Sequence, residues 1–193
     1  REAGIKPILG CELYVAQGSR HSRIPAEKTP YHLTVLARDN VGYKNLLKLV
    51  TTAHLEGFYY KPRVDRELLA QYREGLVVLS GCPSGEVPRL LLEDQNMQAQ
   101  EAARWYKDTF PNFYLEIQHH GNLPDLDRLN PSLRKLSQEM GISLVATNDS
   151  HYVHQEDAPF QDILVCIQTN TNINDKKRLK MSDDSYYLKG SKE

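Results

Sequence analysis

The stretch "LVATNDSHYVHQEDA", residues 144–158, shows a pattern that recurs along this chain, an apolar run followed by polar residues. Its apolar run ends at Thr147, and the positions that follow include Asn148, Asp149 and His151. A short run rich in Leu and Val is typical of a strand buried on both faces, and the change to polar residues marks its end. The stretch therefore predicts a buried strand followed by side chains that either form a solvated turn or bind a metal.

Other apolar runs repeat the pattern, and amphipathic helices separate them. The runs cover residues 7–15, 32–38, 76–81 and 113–118. The helical stripes, spaced i, i+3, i+4, i+7, are Tyr43, Leu46, Leu47 and Val50; Ala102, Trp105, Tyr106 and Thr109; and Phe160, Ile163, Leu164 and Ile167. Each stripe predicts a helix packed on the core, and Gly141 predicts a helix end near Met140. The alternation predicts an α/β fold with a mostly parallel sheet, open or closed into a barrel.

Composition excludes several classes of protein. The chain has 193 residues, 40% of them hydrophobic, which is enough for one domain with a sizeable core. Its net charge of −1 gives no global basic surface, so contact with nucleic acid would need help from another part or partner. Three widely spaced cysteines favour a reducing, cytoplasmic location. No apolar run reaches the roughly 18 residues of a membrane helix.

Metal-binding residue types recur where the predicted strands end. In α/β folds the chemistry gathers at the carboxyl ends of the strands. The residues at those ends are Glu12, Cys82, His119, His120, Asp149 and His151. His32 instead opens its strand, and it reaches the same end only if that strand runs antiparallel to its neighbours. Carboxylate, thiolate and imidazole donors together suit zinc, manganese or iron.

Each of these residues also has a structural explanation when it is taken alone. An Asp after a strand commonly caps a turn, and a single His is commonly a hydrogen-bonded core or surface residue. Cys82 alone is typical of a small buried hydrophobic residue. We assign such structural roles to His21, His54 and His154. Spacing alone therefore leaves the metal site and the solvated turn as alternatives.

Longer motifs carry a family resemblance that covers almost the whole chain. The motifs are "GIKPILGCELYV", "YHLTVLARDNVGYKNLLKLV", "EGFYYKPRVD", "EGLVVLSGCPSGEVP", "EIQHHG", "VATNDSHYV" and "SDDSYYLK". In order and spacing they resemble the PHP domain family, in the form found at the amino terminus of the α subunit of bacterial DNA polymerase III. The resemblance implies a distorted (β/α)7 barrel with a cluster of metal ions at one end.

The resemblance also implies a set of metal ligands. They are Glu12, His32, Cys82, His120, Asp149 and His151, with His120 chosen over His119 by the motif's spacing. The family's first His-x-His and Asp-His elements precede the point where this chain starts, at "REAGIKPILG". We therefore expect a barrel that lacks its first strands and has an open seam. We also expect at most one remaining metal site, with three or four protein donors, around Glu12, Cys82, His120, Asp149 and His151.

The function implied is that of a piece of a replicative DNA polymerase. Residues 1–180 would form a partial PHP domain, and residues 181–193 would begin the connection to the polymerase core. Zinc and/or manganese would serve a metal-dependent phosphoesterase, a 3′–5′ exonuclease, while magnesium would serve a polymerase site outside this chain. The implied partners are DNA, a proofreading exonuclease and the sliding clamp, with no membrane.

Two alternatives to an active nuclease remain. One is a catalytically inactive platform with vestigial ligands, and the other is a free-standing phosphatase of the same superfamily. The filled ligand positions favour an active domain, and "EGFYYKPRVD" and "SDDSYYLK" argue against the phosphatase. We expect these 193 residues by themselves to show little nuclease activity, and to be marginally stable, dimeric or dependent on further chain.

Overall fold

The computed structural model describes residues 2–190, which form six α-helices and seven strands. The strands are β1 (Gly10–Val15), β2 (Tyr31–Ala37), β3 (Phe58–Tyr59), β4 (Lys61–Val64), β5 (Leu76–Leu79), β6 (Phe113–Gln118) and β7 (Leu144–Thr147). The helices are α1 (Asn40–Leu55), α2 (Arg66–Gln71), α3 (Glu86–Leu92), α4 (Asn96–Thr109), α5 (Asp125–Met140) and α6 (Ala158–Thr169).

The strands form one open sheet in the order β3-β4-β1-β2-β5-β6-β7. This architecture confirms the predicted α/β class and an unclosed, partial barrel. The expectation of a mostly parallel sheet is wrong, because three of the six strand pairs, β1–β2, β2–β5 and β3–β4, are antiparallel. The five predicted strands are β1, β2, β5, β6 and β7. The β3–β4 hairpin was not predicted, because its strands are very short and Pro62 interrupts the second.

Strand β2 runs antiparallel to both of its neighbours, β1 and β5. The segment joining β1 to β2 is a loop with one short 3-10 helix, Pro25–Glu27, and it contains no crossover helix of the kind that parallel strands need. In the resulting register His32 lies opposite Tyr14, near the carboxyl end of β1. Strand β2 therefore has the antiparallel direction that the prediction for His32 required. His32 lies at the same end of the sheet as the carboxyl ends of β1 and β5.

The core-facing side of α1 differs from the predicted stripe. Leu46 and Leu49 are buried, whereas Tyr43 and Leu47 are exposed. Gly42 sets this rotation, because a Cβ atom there would lie 1.8 Å from the carbonyl oxygen of Gly75. The glycine lets the helix approach that backbone closely, and this close approach is not visible in the periodicity of apolar residues.

The other helices divide between confirmed and wrong predictions. On α4 the buried Tyr106 and half-buried Trp105 match their predicted stripe, and α5 ends at Gly141 with a φ of 60°, as predicted. The α6 stripe is wrong, because its four members are at least half exposed: Phe160 65%, Ile163 50%, Leu164 58% and Ile167 71%. Only Val165 and Cys166 are buried on α6. Periodicity identifies an apolar side, but whether another surface covers it is a tertiary property.

Some predictions concern the ends of the chain. The first residues, "REAG", predict the last turn of a helix with Gly4 just past its end. Arg1 of that turn lies outside the described residues, as do residues 191–193 of the predicted connection. Gly4 has the predicted left-handed conformation, with a φ of 71°. Among the described helices, none has the length and apolarity needed to cross a membrane.

Candidate metal centre

Three side chains from β1, β2 and the turn after β5 converge. Glu12, His32 and Cys82 each offer a ligand atom, and these atoms lie within 4.8 Å of one another. His32 Nδ1 is 3.2 Å from Glu12 Oε1 and 3.5 Å from Cys82 Sγ. We call these residues the strand trio. Their carboxylate, imidazole and thiol groups form a donor set that zinc accepts.

The sheet positions each member of the strand trio. Glu12 is the third residue of β1 and lies three positions before the strand end at Val15, not at the end as predicted. Because Tyr14 is two residues further along the strand, the two side chains share a face. The ring of Tyr14 meets the ring of His32 edge-on, with centroids 5.2 Å apart. Gly81 has a φ of 84° and turns the chain after β5, and a Cβ atom there would lie 2.7 Å from the His32 carbonyl oxygen. This turn brings Cys82 against His32.

Electrostatic coupling within the strand trio determines the charge of His32. Burial alone would lower the pKa of His32, but hydrogen bonds with Cys82 and Glu12 outweigh burial and raise it to about 10. The same bond with His32 lowers the pKa of Glu12. In the metal-free protein His32 is therefore an imidazolium paired with a carboxylate, and a metal ion must displace its proton in order to bind.

The other three predicted ligands lie on loops after β6 and β7. His120 is buried, with 4% of its surface exposed, whereas its neighbour His119 is exposed. Asp149 has a left-handed backbone with a φ of 47°. Burial raises the pKa of Asp149, the charge of His151 counteracts it, and the charge of Glu12 adds to it. We call His120, Asp149 and His151 the loop trio, and its Asp149 lies close enough to Glu12 for their charges to interact.

The grouping of donors differs from the expected single site. Within residues 2–190, the strand trio is the only set of three or more His, Cys, Asp or Glu side chains with ligand atoms so close together. The expectation centred on Glu12, Cys82 and the loop trio, whereas the structure groups the first two with His32. His21, His54 and His154 lie outside this group. His21 is an exposed residue near Glu56, and His154 precedes a short 3-10 helix, Gln155–Asp157.

A buried carboxylate that the sequence analysis missed bonds to residues that flank both trios. Glu116 on β6 is 5% exposed. Its Oε2 accepts hydrogen bonds from Gly81 N at 3.1 Å and Thr34 Oγ1 at 3.2 Å. Its Oε1 accepts from Thr147 Oγ1 at 2.5 Å and Gln118 Nε2 at 3.3 Å. The sequence offered one signal for this role, because Glu116 is a carboxylate within the apolar run "FYLEIQ". A buried charge needs several hydrogen-bond partners.

The C-terminal segment, residues 182–188, packs against the loop trio. The Tyr186 ring stacks on the His120 ring, with centroids 3.9 Å apart and planes at 14°, and it meets the His151 ring edge-on at 5.9 Å. Asn148 Nδ2 donates to the carbonyl oxygens of Ser185 at 2.9 Å and Tyr187 at 2.6 Å. This stretch therefore takes part in the candidate site, although it was predicted only as the start of a connection.

Comparisons of the sequence with known proteins bear on the family of this chain. The PHP domain family profile matches residues 1–120. The DNA polymerase III subunit alpha of Borreliella burgdorferi is 47% identical over 196 residues, which cover 100% of this chain and 17% of that protein. The subunit of Treponema pallidum is 50% identical over 194 residues, covering 97% of this chain and 16% of that protein. The chain thus spans about a sixth of the length of these relatives, which confirm the resemblance carried by the motifs.

Proposed function

The chain belongs to the PHP domain family, and from that premise we propose that it is a metal-dependent phosphoesterase domain that removes nucleotides from the 3′ end of DNA. The observation that carries this proposal is the convergence of the strand trio at one end of the sheet. Two strands and a glycine turn bring its carboxylate, imidazole and thiol together, although Glu12 and Cys82 are far apart in sequence.

The strand trio would hold a divalent ion, zinc or manganese. Such an ion supplies a Lewis acid for phosphoryl oxygens. Glu12 contributes negative charge that offsets the charge of the cation, and His32 becomes a neutral donor after it releases its proton. Cys82 favours zinc through its soft sulfur, whereas the carboxylate also suits manganese.

The loop trio would complete the cluster. A mechanism that stabilises both the attacking and the leaving oxygen of a phosphodiester uses two ions. Asp149 and His120 lie near enough to each other and to Glu12 for their charges to interact. Burial lowers the pKa of His120, an effect that keeps its imidazole neutral and able to act as a ligand near pH 7.

In the whole protein, we extend the proposal to DNA replication. The relatives named above are DNA polymerase III α subunits, so a polymerase site using magnesium would lie in other parts of the polypeptide. Its partners would be DNA, a proofreading exonuclease and the sliding clamp, in the bacterial cytoplasm. We keep residues 1–180 as the PHP domain and residues 181–193 as the start of the connection, with the C-terminal segment packed on the domain.

A second candidate function, a structural platform without catalysis, has one observation in its favour. The exposed apolar stripe of α6 is the type of surface that binds another protein element, and it does not require a metal. The two functions predict different metal contents and different activities.

Metal analysis joined to a degradation assay separates the two functions. The intact protein, free of any proofreading subunit, should contain bound zinc or manganese and should shorten a single-stranded DNA from its 3′ end. Asp149→Asn should abolish degradation without changing polymerisation, and His119→Ala, at the exposed neighbour of His120, is the matched control. Absence of both metal and degradation would support the platform instead.

A further inference from the structure

We propose that Ser185 and Asp183 are positioning residues that fix the His120 imidazole in the tautomer with its proton on Nδ1, and so present Nε2 as a metal donor. The proposal rests on the proposed metal-dependent function. It assigns a role to the "SDDSYYLK" motif, which the predicted ligand set leaves without one.

The hydrogen bonds determine where each proton lies. Ser185 Oγ is 2.7 Å from His120 Nδ1 and 2.6 Å from Asp183 Oδ1. A hydroxyl has one hydrogen to donate, and an ionised carboxylate can only accept. Ser185 must therefore donate to Asp183, because two oxygen atoms with facing lone pairs would repel at that distance. Its oxygen then accepts a hydrogen bond from His120 Nδ1–H.

Other contacts keep Asp183 ionised and in place. Burial would raise the pKa of Asp183, but hydrogen bonds from the hydroxyl and backbone of Ser185 and from the backbone of Asn122 outweigh burial and lower it. The Asn122 N–H donates to Asp183 Oδ2 at 2.8 Å, and the Ser185 N–H donates to Oδ1 at 2.9 Å. The carboxylate is thus anchored to the loop that carries His120, through Asn122, and to its own segment, through Ser185.

The opposite nitrogen of the ring is left ready for a ligand. His120 Nε2 is buried and has no hydrogen-bond partner among the described residues. A buried polar atom without a partner is costly, so such an atom calls for an explanation. The stack with Tyr186 and the bond to Ser185 together resist rotation of the ring. Metal-binding histidines generally donate their second N–H to a fixed acceptor, and Ser185 supplies that acceptor here.

The tautomers of the other two predicted histidine ligands, His32 and His151, do not depend on Ser185 and Asp183. His151 Nδ1 lies 2.6 Å from the carbonyl oxygen of Asp149, so the backbone fixes its proton. His32 Nδ1 contacts members of its own trio. Only in His120 does the tautomer depend on side chains of the C-terminal segment.

The test is a measurement of the tautomer in the intact, metal-free protein. With 15N-labelled histidine, long-range proton–nitrogen correlations above the pKa of His120 should show the proton on Nδ1, with the signal assigned by its loss in His120→Ala. Ser185→Ala should shift the population toward the proton on Nε2, and Ser185→Thr should restore Nδ1. Asp183→Ala retains the Ser185 hydroxyl but frees its hydrogen for Nδ1, so it should place the proton on Nε2.

A manganese titration provides a second readout. Manganese affinity should fall about 10- to 100-fold in Ser185→Ala, as expected when an outer partner of a ligand is lost, and Ser185→Thr should recover it. Ser150→Ala is the matched control, since Ser150 Oγ bonds the carbonyl oxygen of Tyr187 at 3.2 Å without contacting His120.

The outcomes separate this inference from the proposed function. An unchanged tautomer in both Ser185→Ala and Asp183→Ala would overturn the inference, and so would manganese affinity equal to that of the wild type in Ser185→Ala. If the wild-type protein binds no manganese or zinc, the proposed function fails, while the tautomer measurement still decides the role of Ser185.

Discussion

The strand trio and the loop trio contain similar donor types but are built differently. The strand trio rests on paired strands, with Glu12 and His32 on β1 and β2 and with Cys82 one glycine turn beyond β5. The loop trio follows the ends of β6 and β7 and is covered by residues 182–188. Pairing within the central sheet fixes the first arrangement, whereas contacts with the C-terminal segment fix the second, among them the ring of Tyr186 on His120 and the bond from His151 N–H to the Tyr186 carbonyl oxygen at 2.8 Å. We therefore expect a preorganised strand trio and a loop trio that depends on its cover.

The strongest test of this comparison is at Glu116, which accepts a hydrogen bond from Gly81, directly before Cys82, and from Gln118 and Thr147, each two residues before a donor of the loop trio. Glu116→Ala should lower the free energy of unfolding by roughly 2–5 kcal/mol, because it leaves at least two buried donors, such as Gly81 N–H, without an acceptor. Urea denaturation of the metal-free protein measures this loss.

Glu116→Gln is the matched variant and should cost less. Gln118 Oε1 has no hydrogen-bond partner among the described residues, so a rotated Gln118 amide could accept from the new side chain. Equal losses in the two variants would mean that the charge, rather than the number of hydrogen bonds, determines stability here.

The second test asks whether the strand trio binds metal through sulfur. Cys82→Ser keeps the shape of the side chain but replaces a soft donor, so zinc affinity should fall at least ~100-fold, the upper end of the loss caused by changing an outer partner of a ligand. Manganese, which prefers oxygen, should be affected less. Competition with a coloured chelator measures both affinities.

Cys11→Ser provides the control for this exchange. Cys11 adjoins Glu12 on β1 but is not a member of the trio. A similar loss of zinc affinity in both variants would argue against a direct role for Cys82.

The sequence predicted the strands that carry the strand trio, but it did not predict the side chains that surround the loop trio. Apolar runs and glycines are local signals, so they indicated β1, β2, β5, β6, β7 and the end of α5. The condition attached to His32 also followed from topology, because an antiparallel strand begins where its neighbours end.

What the sequence did not indicate depends on contacts between distant residues. The roles of Glu116 and Ser185 arise from side chains that meet only after folding, and no local period encodes them. The α6 stripe failed for the same reason, since a helix shows the same periodicity whether or not a surface covers it. The close approach of Gly42 to Gly75 likewise determines which side of α1 faces the core, and the periodicity of apolar residues does not show it.

The third test uses pH. The pKa of His32 is raised to about 10 in the folded protein, above its ordinary value of 6.5, so protonation of His32 stabilises the fold. That contribution is fully present below pH 6.5 and is lost as the pH rises toward 10. Urea denaturation in the presence of a chelator should therefore show stability falling across this window.

His32→Gln should flatten that part of the profile. Metal affinity of the wild-type protein should show the opposite trend and rise with pH, because the ion competes with the proton on His32. A chelator-treated protein whose stability is constant over this range would contradict the paired imidazolium and carboxylate in the strand trio.

The smallest expected effect is at Tyr186, and it tests whether the two trios are independent. Tyr186→Phe removes the contact of 2.8 Å with Ser182 Oγ but keeps the ring against His120. It should cost only about 0.5–1.5 kcal/mol of stability and leave metal affinity unchanged.

Tyr186→Ala removes the stacked ring as well, so it should weaken manganese binding that depends on the loop trio. Zinc binding at the strand trio should stay the same, because sheet hydrogen bonds hold that trio without the ring. If Tyr186→Ala lowered zinc affinity as well as manganese affinity, the two trios would be coupled, with Glu116 as the residue that links them.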